Sequence, residues 1–392
     1  MTTVTNETNE YKKDTEDHFV FTRYLYEKEE VEIALLLNIL HKKEEESLFW
    51  AYELHYSGFT DKLIQLLWKI YYELFSTLNA SFENYLLNKL NAPLFTDEPK
   101  TIASVINNFL IRPFNMDVFI LTKLEKPIIP PVKQSTNSLA TLKKRFASFL
   151  ENHDYNNIGL NILHLFTNEQ LSEIFAVSIK YFSKFIANLN SKKIIDKIDA
   201  VVKKNKYDKR ILILIKILHY YSILSNLKFG KNIYVFCEEN DITNYQTITA
   251  DLNCHTDNPY NRILPAYKIL KKANLYSIDN LKCLRLFGLK RDNYDIVSAY
   301  LNYWLYYASF SPIWEVNIQK YNGTINHATK TITFDTDENE ELFYNNYNYE
   351  PDEQPKEIQD KSLVIIEDAN LETILFDKNN NNCLIENTSI LI

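Results

Sequence analysis

The stretch Gly58-Phe-Thr-Asp-Lys-Leu-Ile-Gln-Leu-Leu-Trp-Lys-Ile-Tyr-Tyr-Glu-Leu74 decides the fold class of this chain. Its apolar residues recur at the 3.6-residue spacing of an amphipathic helix. Gly58 followed by Thr60 and Asp61 marks the end of one helix and the start of the next. The residues that share this apolar face are Leu63, Leu66, Leu67, Ile70 and Leu74. The stretch therefore predicts consecutive helices joined by a short loop, and such neighbours pack antiparallel.

The helical pattern extends in both directions from this stretch. Three prolines between residues 126 and 137 prevent a helix there, because proline removes an amide donor and forces the preceding residue into an extended conformation. Helical spacing then resumes, and Thr167 to Gln170 forms a capping-box sequence ahead of another apolar face. The pattern predicts a helix over 292–310, followed by Ser311 as an N-cap with Pro312 in the first turn.

Signals for strands occur only in the second half of the chain. Ile233 to Phe236 is β-like, 247–249 predicts a short strand, and Gly323 to Phe334 alternates around a polar turn as in a β-hairpin. Two further strands are predicted at 363–366 and 373–376. The fold class predicted is mainly α, an irregular multi-helical bundle with a small β-containing C-terminal part.

The domain organisation that follows from these patterns has seven parts. They are a mobile polar arm at 1–18, an N-terminal helical domain at 19–125, a proline-rich linker at 126–137, a second helical block at 138–230, a mixed α/β region with an aromatic helix and hairpin at 231–334, an acidic loop at 335–362 and C-terminal strands with a tail at 363–392.

Composition excludes several classes of site. The chain has 5 Gly in 392 residues, so it lacks the clustered glycines of a phosphate loop, a dinucleotide fingerprint or a nucleophile elbow. The net charge of -8 gives no overall attraction to nucleic acid or an anionic membrane. The four cysteines include no CxxC pair, and Cys254-His255 with its nearby acids is best explained as part of an ordinary loop. We predict no catalytic, cofactor-binding or metal-binding residues and no cofactor.

Targeting signals are not evident in the sequence. Residues 1–17 are polar and lack the apolar core of a secretory signal. The most apolar run, Ile211 to Leu224, is interrupted by Lys216 and His219 and is shorter than the roughly 20 residues that span a bilayer. We therefore expect a soluble protein of the cell interior that does not insert into a membrane.

The densest aromatic cluster lies between residues 300 and 314. Stacked tyrosines and tryptophans could hold a base or another aromatic ligand, but such residues more often serve as core or interface anchors, and we favour that interpretation. The candidate interaction residues are Tyr300, Tyr303, Trp304, Tyr307 and Trp314.

A run of positive charge precedes the most apolar segment. Its side chains could contact phosphates without sequence preference, but a solvated helix face is the favoured interpretation in a chain with a negative net charge. The candidate phosphate contacts are Lys192, Lys193, Lys203, Lys204 and Arg210.

Three segments carry a resemblance to a known group of proteins. Glu44–Phe59, Asn108–Phe119 and Trp304–Trp314 resemble uncharacterised proteins of large nucleocytoplasmic DNA viruses with AT-rich genomes. The resemblance transfers no catalytic residues. It implies a viral protein that acts in the host cytoplasm, in the viral factory or in the virion.

Together these observations favour a non-enzymatic helical scaffold or protein-interaction component. Its partners are expected to be other proteins, including further copies of this chain. An accessory factor that contacts nucleic acid in viral transcription or translation is the first alternative, and an enzyme without a recognisable local motif is the second.

Overall fold

The computed structural model describes residues 19–90, 99–123, 138–205, 207–237, 296–347 and 390–391. These residues are mostly helical with a two-stranded sheet near the C-terminus, which confirms the predicted fold class. The chain divides into two compact units. Unit 1 comprises Met1–Leu37, Glu45–Leu63 and Asn240–Ala369, and unit 2 comprises Asn38–Glu44, Ile64–Glu239 and Asn370–Ile392.

The helices and strands follow one another in a simple order. The helices before residue 238 are α1 (Lys28–Leu40), α2 (Glu44–Tyr56), α3 (Thr60–Ile70), α4 (Phe82–Leu90), α5 (Pro99–Leu110), α6 (Asp117–Thr122), α7 (Leu139–Glu151), α8 (Tyr155–Leu160), α9 (Asn168–Phe182), α10 (Ser191–Asn205) and α11 (Lys209–Leu224). After residue 295 come α12 (Ile296–Leu301), α13 (Trp304–Ala308), α14 (Pro312–Lys320), β1 (Thr324–Asn326), β2 (Thr331–Thr333) and α15 (Asp337–Tyr347). Single π-helical turns, Tyr71–Phe75 and Asn161–Leu165, continue α3 and α8.

A buried ion pair holds the first described segment of unit 1. The Arg23 Nε donates to Glu53 Oε2 over 2.8 Å, and both side chains are almost fully buried. Glu53 Oε1 also accepts from the Tyr24 amide, and Ser57 Oγ accepts from the Arg23 amide. Because a buried carboxylate without partners is costly, these bonds fix the segment before α1 against α2.

Unit 2 has its core among α7, α9 and α11. The predicted capping box is present, with Thr167 and Gln170 each bonding the other's backbone. Helix α11 is apolar on nearly every face and is buried, which explains the long apolar run in the sequence. The Tyr221 hydroxyl donates to the Leu150 carbonyl over 2.7 Å. Among the described helices, none combines the length and apolar character needed to cross a membrane.

The structure confirms the predicted hairpin. Strands β1 and β2 pair antiparallel with Ile325 opposite Ile332. In the connecting turn, the Asn326 side chain accepts hydrogen bonds from the amides of Ala328 and Thr329. The Asn326 side-chain oxygen thus accepts hydrogen bonds from turn amides that have no partner on a neighbouring strand.

Four other predictions are corrected in whole or in part. The single helix predicted over 292–310 is broken, because Tyr303 leaves the helical conformation between α12 and α13. The acidic loop predicted at 335–362 is wrong for Asp337–Tyr347, which form α15 with acidic residues in its first turn, where they favour the helix dipole. Residues 233–236 do not pair as a strand. Pro312 opens α14 as predicted, but Ser311 makes no side-chain cap.

Other sequence-based interpretations fall on residues that lie outside the described ranges. They concern the polar arm, the proline-rich linker, the loop with Cys254 and His255, and the strands predicted at 247–249, 363–366 and 373–376.

The close packing of Gly58 against Pro312 can be tested by substitution. Gly58 has a φ of +90°, and an added Cβ would lie 2.5 Å from the Pro312 Cβ. We expect Gly58→Ala to lower the free energy of unfolding by about 2–4 kcal/mol, from left-handed strain together with overpacking. Urea denaturation measures the change. Lys42 is the matched control, because it also has a positive φ and already carries a Cβ, so Lys42→Ala should be nearly neutral. Equal losses in the two variants would contradict this account.

Candidate functional site

The predicted aromatic residues lie largely in the core of unit 1. Trp304 is 7% exposed and Trp314 is 2% exposed, and their rings meet edge to face with centroids 5.7 Å apart. The Trp314 indole donates to the Thr22 carbonyl over 3.1 Å. Tyr300 is also buried and packs edge to face on Phe21. These three side chains fill space in the core, Trp314 also satisfies a backbone carbonyl, and their contact with a partner stays a prediction.

Tyr303 and Tyr307 are the partly exposed members of the set. Lys330, from the hairpin turn, lies over both rings, and its Nζ donates to the Tyr307 hydroxyl over 3.0 Å. That hydrogen bond raises the pKa of Lys330. The group is a small cation–π cluster.

The predicted basic residues divide into two groups. Four lysines of the set lie exposed on α10. Arg210 differs, because its guanidinium donates to the Ile162 carbonyl over 2.8 Å and approaches Asn168 Oδ1. Arg210 therefore binds acceptor oxygens in the π-helical turn Asn161–Leu165 and at the start of α9. Whether the four lysines, Lys192, Lys193, Lys203 and Lys204, contact phosphates stays a prediction.

A groove between α7 and α9 is a surface feature that the sequence did not reveal. Its volume is about 570 Å³. Its lining residues are Lys143, Lys144, Ala147, Glu151, Glu173, Ala176, Val177, Lys180, Tyr181 and Lys184. Lys143 pairs with Glu173 and Lys184 pairs with Glu151 along its rim. Small and apolar side chains form the floor, and lysines outnumber glutamates at the rim.

The groove continues into an exposed aromatic side chain. Tyr181 contacts Phe185 with ring centroids 5.6 Å apart, and Phe185 is 59% exposed just beyond the end of α9. The helical spacing in the sequence predicted the buried face of α9 but not this exposed surface. The groove could not be read from sequence, because its two walls are about 30 residues apart and their spacing is set by packing.

A second unpredicted feature is the attachment of residues 231–237 to α5. Asn108 Nδ2 donates to the Val235 carbonyl over 2.7 Å, and Asn108 Oδ1 accepts from the Val235 amide over 3.1 Å. Arg112 Nη2 donates to the Ile233 carbonyl over 2.9 Å, and its guanidinium lies between the rings of Phe82 and Tyr234. Asn108 of α5 and Arg112, just beyond the end of this helix, thus hold an extended peptide by its backbone.

Within the described residues, no group of three or more His, Cys, Asp and Glu side chains is placed to hold a metal ion. Comparison with protein-family models, curated proteins and solved structures found no match to this chain. The surfaces of the two units are therefore the basis for a functional proposal.

Trp304 tests whether the aromatic cluster is a core or a ligand platform. We expect Trp304→Ala to cost about 3–5 kcal/mol of unfolding free energy, because a buried ring is replaced by a cavity. Thermal and urea unfolding of the purified variant measure this cost. Val316→Ala, on exposed α14 surface, is the control and should melt like the parent. A Trp304→Ala protein that unfolds normally and loses only binding of an aromatic ligand would contradict the core assignment.

Proposed function

We propose that this chain is a non-enzymatic helical scaffold that binds other proteins. The observation that carries the proposal is the groove between α7 and α9, with its apolar floor, charged rim and exposed Phe185 at one end. The viral resemblance of three sequence segments adds the proposal that the protein works in a viral factory or a virion.

The shape and chemistry of the groove favour a helical partner. Helix-in-groove recognition places an apolar stripe against a hydrophobic floor while polar residues meet the rim. Ala147, Ala176 and Val177 leave room for such a stripe. Aromatic side chains at the end of a groove are typical anchors of an interface, and Tyr181 with Phe185 supplies them here.

The charge of the rim specifies the partner further. Lys143 and Lys184 are paired with glutamates across the groove, whereas Lys144 and Lys180 add positive charge to the same rim. A partner helix with acidic residues beside its apolar stripe would complement this surface, and electrostatic complementarity speeds association and selects the partner. We therefore propose an acidic amphipathic helix of another protein as the ligand.

Photo-crosslinking in the native cell tests this proposal. A photoreactive phenylalanine analogue at position 185 should give a discrete protein adduct, whereas the same analogue at Glu169, exposed at the other end of α9, should not. Ala176→Arg should abolish the adduct by filling the groove. Ala187→Arg, the same change at an exposed position outside the groove, should preserve it. An adduct insensitive to Ala176→Arg, or none at position 185, would overturn the proposal.

A nucleic-acid accessory role is the second candidate, and the exposed lysines of α10 favour it. Lysines that neutralise phosphates release counterions, so the logarithm of the binding constant falls linearly with the logarithm of salt concentration. The carboxylates Asp196 and Asp199 on the same helix weaken the positive field, and Lys209 pairs with Asp199 over 2.7 Å. This candidate therefore ranks below protein binding.

Titration with RNA and DNA at several salt concentrations separates the two candidates. We expect weak binding at physiological salt. If binding does occur there, each phosphate contact contributes about 0.9 to the salt slope, so Lys203→Glu with Lys204→Glu should flatten it. Lys42→Glu with Lys43→Glu is the control, since it makes the same charge change at exposed positions outside α10. Submicromolar binding that is lost only in the α10 variant would favour the nucleic-acid role.

A further inference from the structure

The backbone of residues 232–237 has one occupied edge and one open edge. The groups bound by α5 and by Arg112, just beyond its end, belong to alternate residues: the Ile233 carbonyl, both polar groups of Val235, and the Cys237 amide, which donates to Ser104 Oγ over 3.3 Å. In an extended chain, the amide and carbonyl of neighbouring residues point to opposite sides. The backbone groups of Tyr234 and Phe236 therefore point away from α5.

The outward edge is unpaired in the part of the chain that the structure describes. No hydrogen bond joins the amide or carbonyl of Tyr234 or Phe236 to another described residue. The side chains beside this edge are also open to solvent, since Phe236 is 73% exposed and Ile233 is 57% exposed. An exposed, uncharged, apolar strand edge is a template for pairing with another strand.

We propose that two copies of this chain associate by antiparallel pairing of their 232–237 segments. A two-fold axis at Val235 places Tyr234 of one copy opposite Phe236 of the other. Both residues direct their amide and carbonyl outward, so each such pair exchanges both hydrogen bonds of an antiparallel ladder. The Val235 residues then lie opposite each other as a non-hydrogen-bonded pair, and their own polar groups remain bound to Asn108.

Side-chain chemistry favours a second copy as the occupant. In this register the Phe236 ring lies beside Tyr234 of the other copy, and cross-strand aromatic pairs stabilise a ladder. Tyr234 is already held between Tyr85, at a centroid distance of 4.7 Å, and Arg112. The segment itself carries no charge, with Lys231 before it and Glu238 and Glu239 after it in the sequence.

The open edge and its fixed geometry also determine how strongly two copies associate. The segment is held in an extended form by α5 before any partner arrives, so pairing requires little further ordering of the chain. The edge is short, and short interfaces are weak. We expect a dimer in the micromolar range. It forms on a different surface from the α7–α9 groove, so it stands whether or not that groove binds a helix.

Light scattering and sedimentation of the full chain across a concentration series test the proposal. The mass should rise from 46.3 kDa toward twice that value. Phe236→Pro removes the outward amide and leaves the inward contacts of Val235 in place. It should weaken the dimer about tenfold or more, because a donor is lost on each side of the axis. Phe236→Ala keeps the amide, and its weakening should be clearly smaller.

Hydrogen exchange of single amides gives an independent readout that needs no variant. Protection of the Tyr234 and Phe236 amides should rise with protein concentration, while the Val235 and Cys237 amides should be protected at every concentration. A chain that stays monomeric throughout the series, or a dimer that Phe236→Pro leaves intact, would overturn the proposal.

Discussion

Every buried backbone amide and carbonyl needs a hydrogen-bond partner, and in several non-helical segments of this chain side chains supply that partner. Glu53 accepts from the Tyr24 amide, and Asn108 binds both polar groups of Val235. Asn79 donates to the carbonyls of Phe75 and Pro113. The non-helical segments are therefore held in place by buried polar residues of neighbouring helices. Loss of one such side chain would leave a backbone group without a partner.

The same requirement explains where the surface features arise. A segment fixed by one edge of its backbone necessarily presents the other edge outward, as residues 232–237 do on α5. The groove between α7 and α9 has a related origin, since small residues on facing helices leave space that larger side chains would fill. The open backbone edge of 232–237 and the groove both follow from the way helix side chains contact the segment or helix beside them. The two proposed interactions, with a partner helix and with a second copy, therefore occupy separate places on unit 2.

Aromatic residues contribute in a different way. For the cluster around Trp304 and Trp314 the sequence favoured core or interface anchors over a ligand platform, because aromatic residues commonly serve both packing and interfaces. In the structure the cluster unites α13, α14 and the segment at Thr22 in the core of unit 1. Tyr303 leaves the helical conformation and so divides the predicted aromatic helix into two helices, α12 and α13. Residue type alone did not distinguish the core from an interface.

Local sequence determined the helices, several of their ends and the hairpin of this protein. Apolar spacing placed α3 and α9, Gly58 and Pro312 marked helix boundaries, and the alternation at 323–334 placed the two strands. These signals could be read because each depends on residues a few positions apart. Tertiary structure alone decided the Arg23–Glu53 pair, the groove, and the capture of the β-prone segment 233–236 by α5 instead of a strand. Each of these joins residues 30 to 127 positions apart or leaves space between two helices, and such proximity arises only when the chain packs.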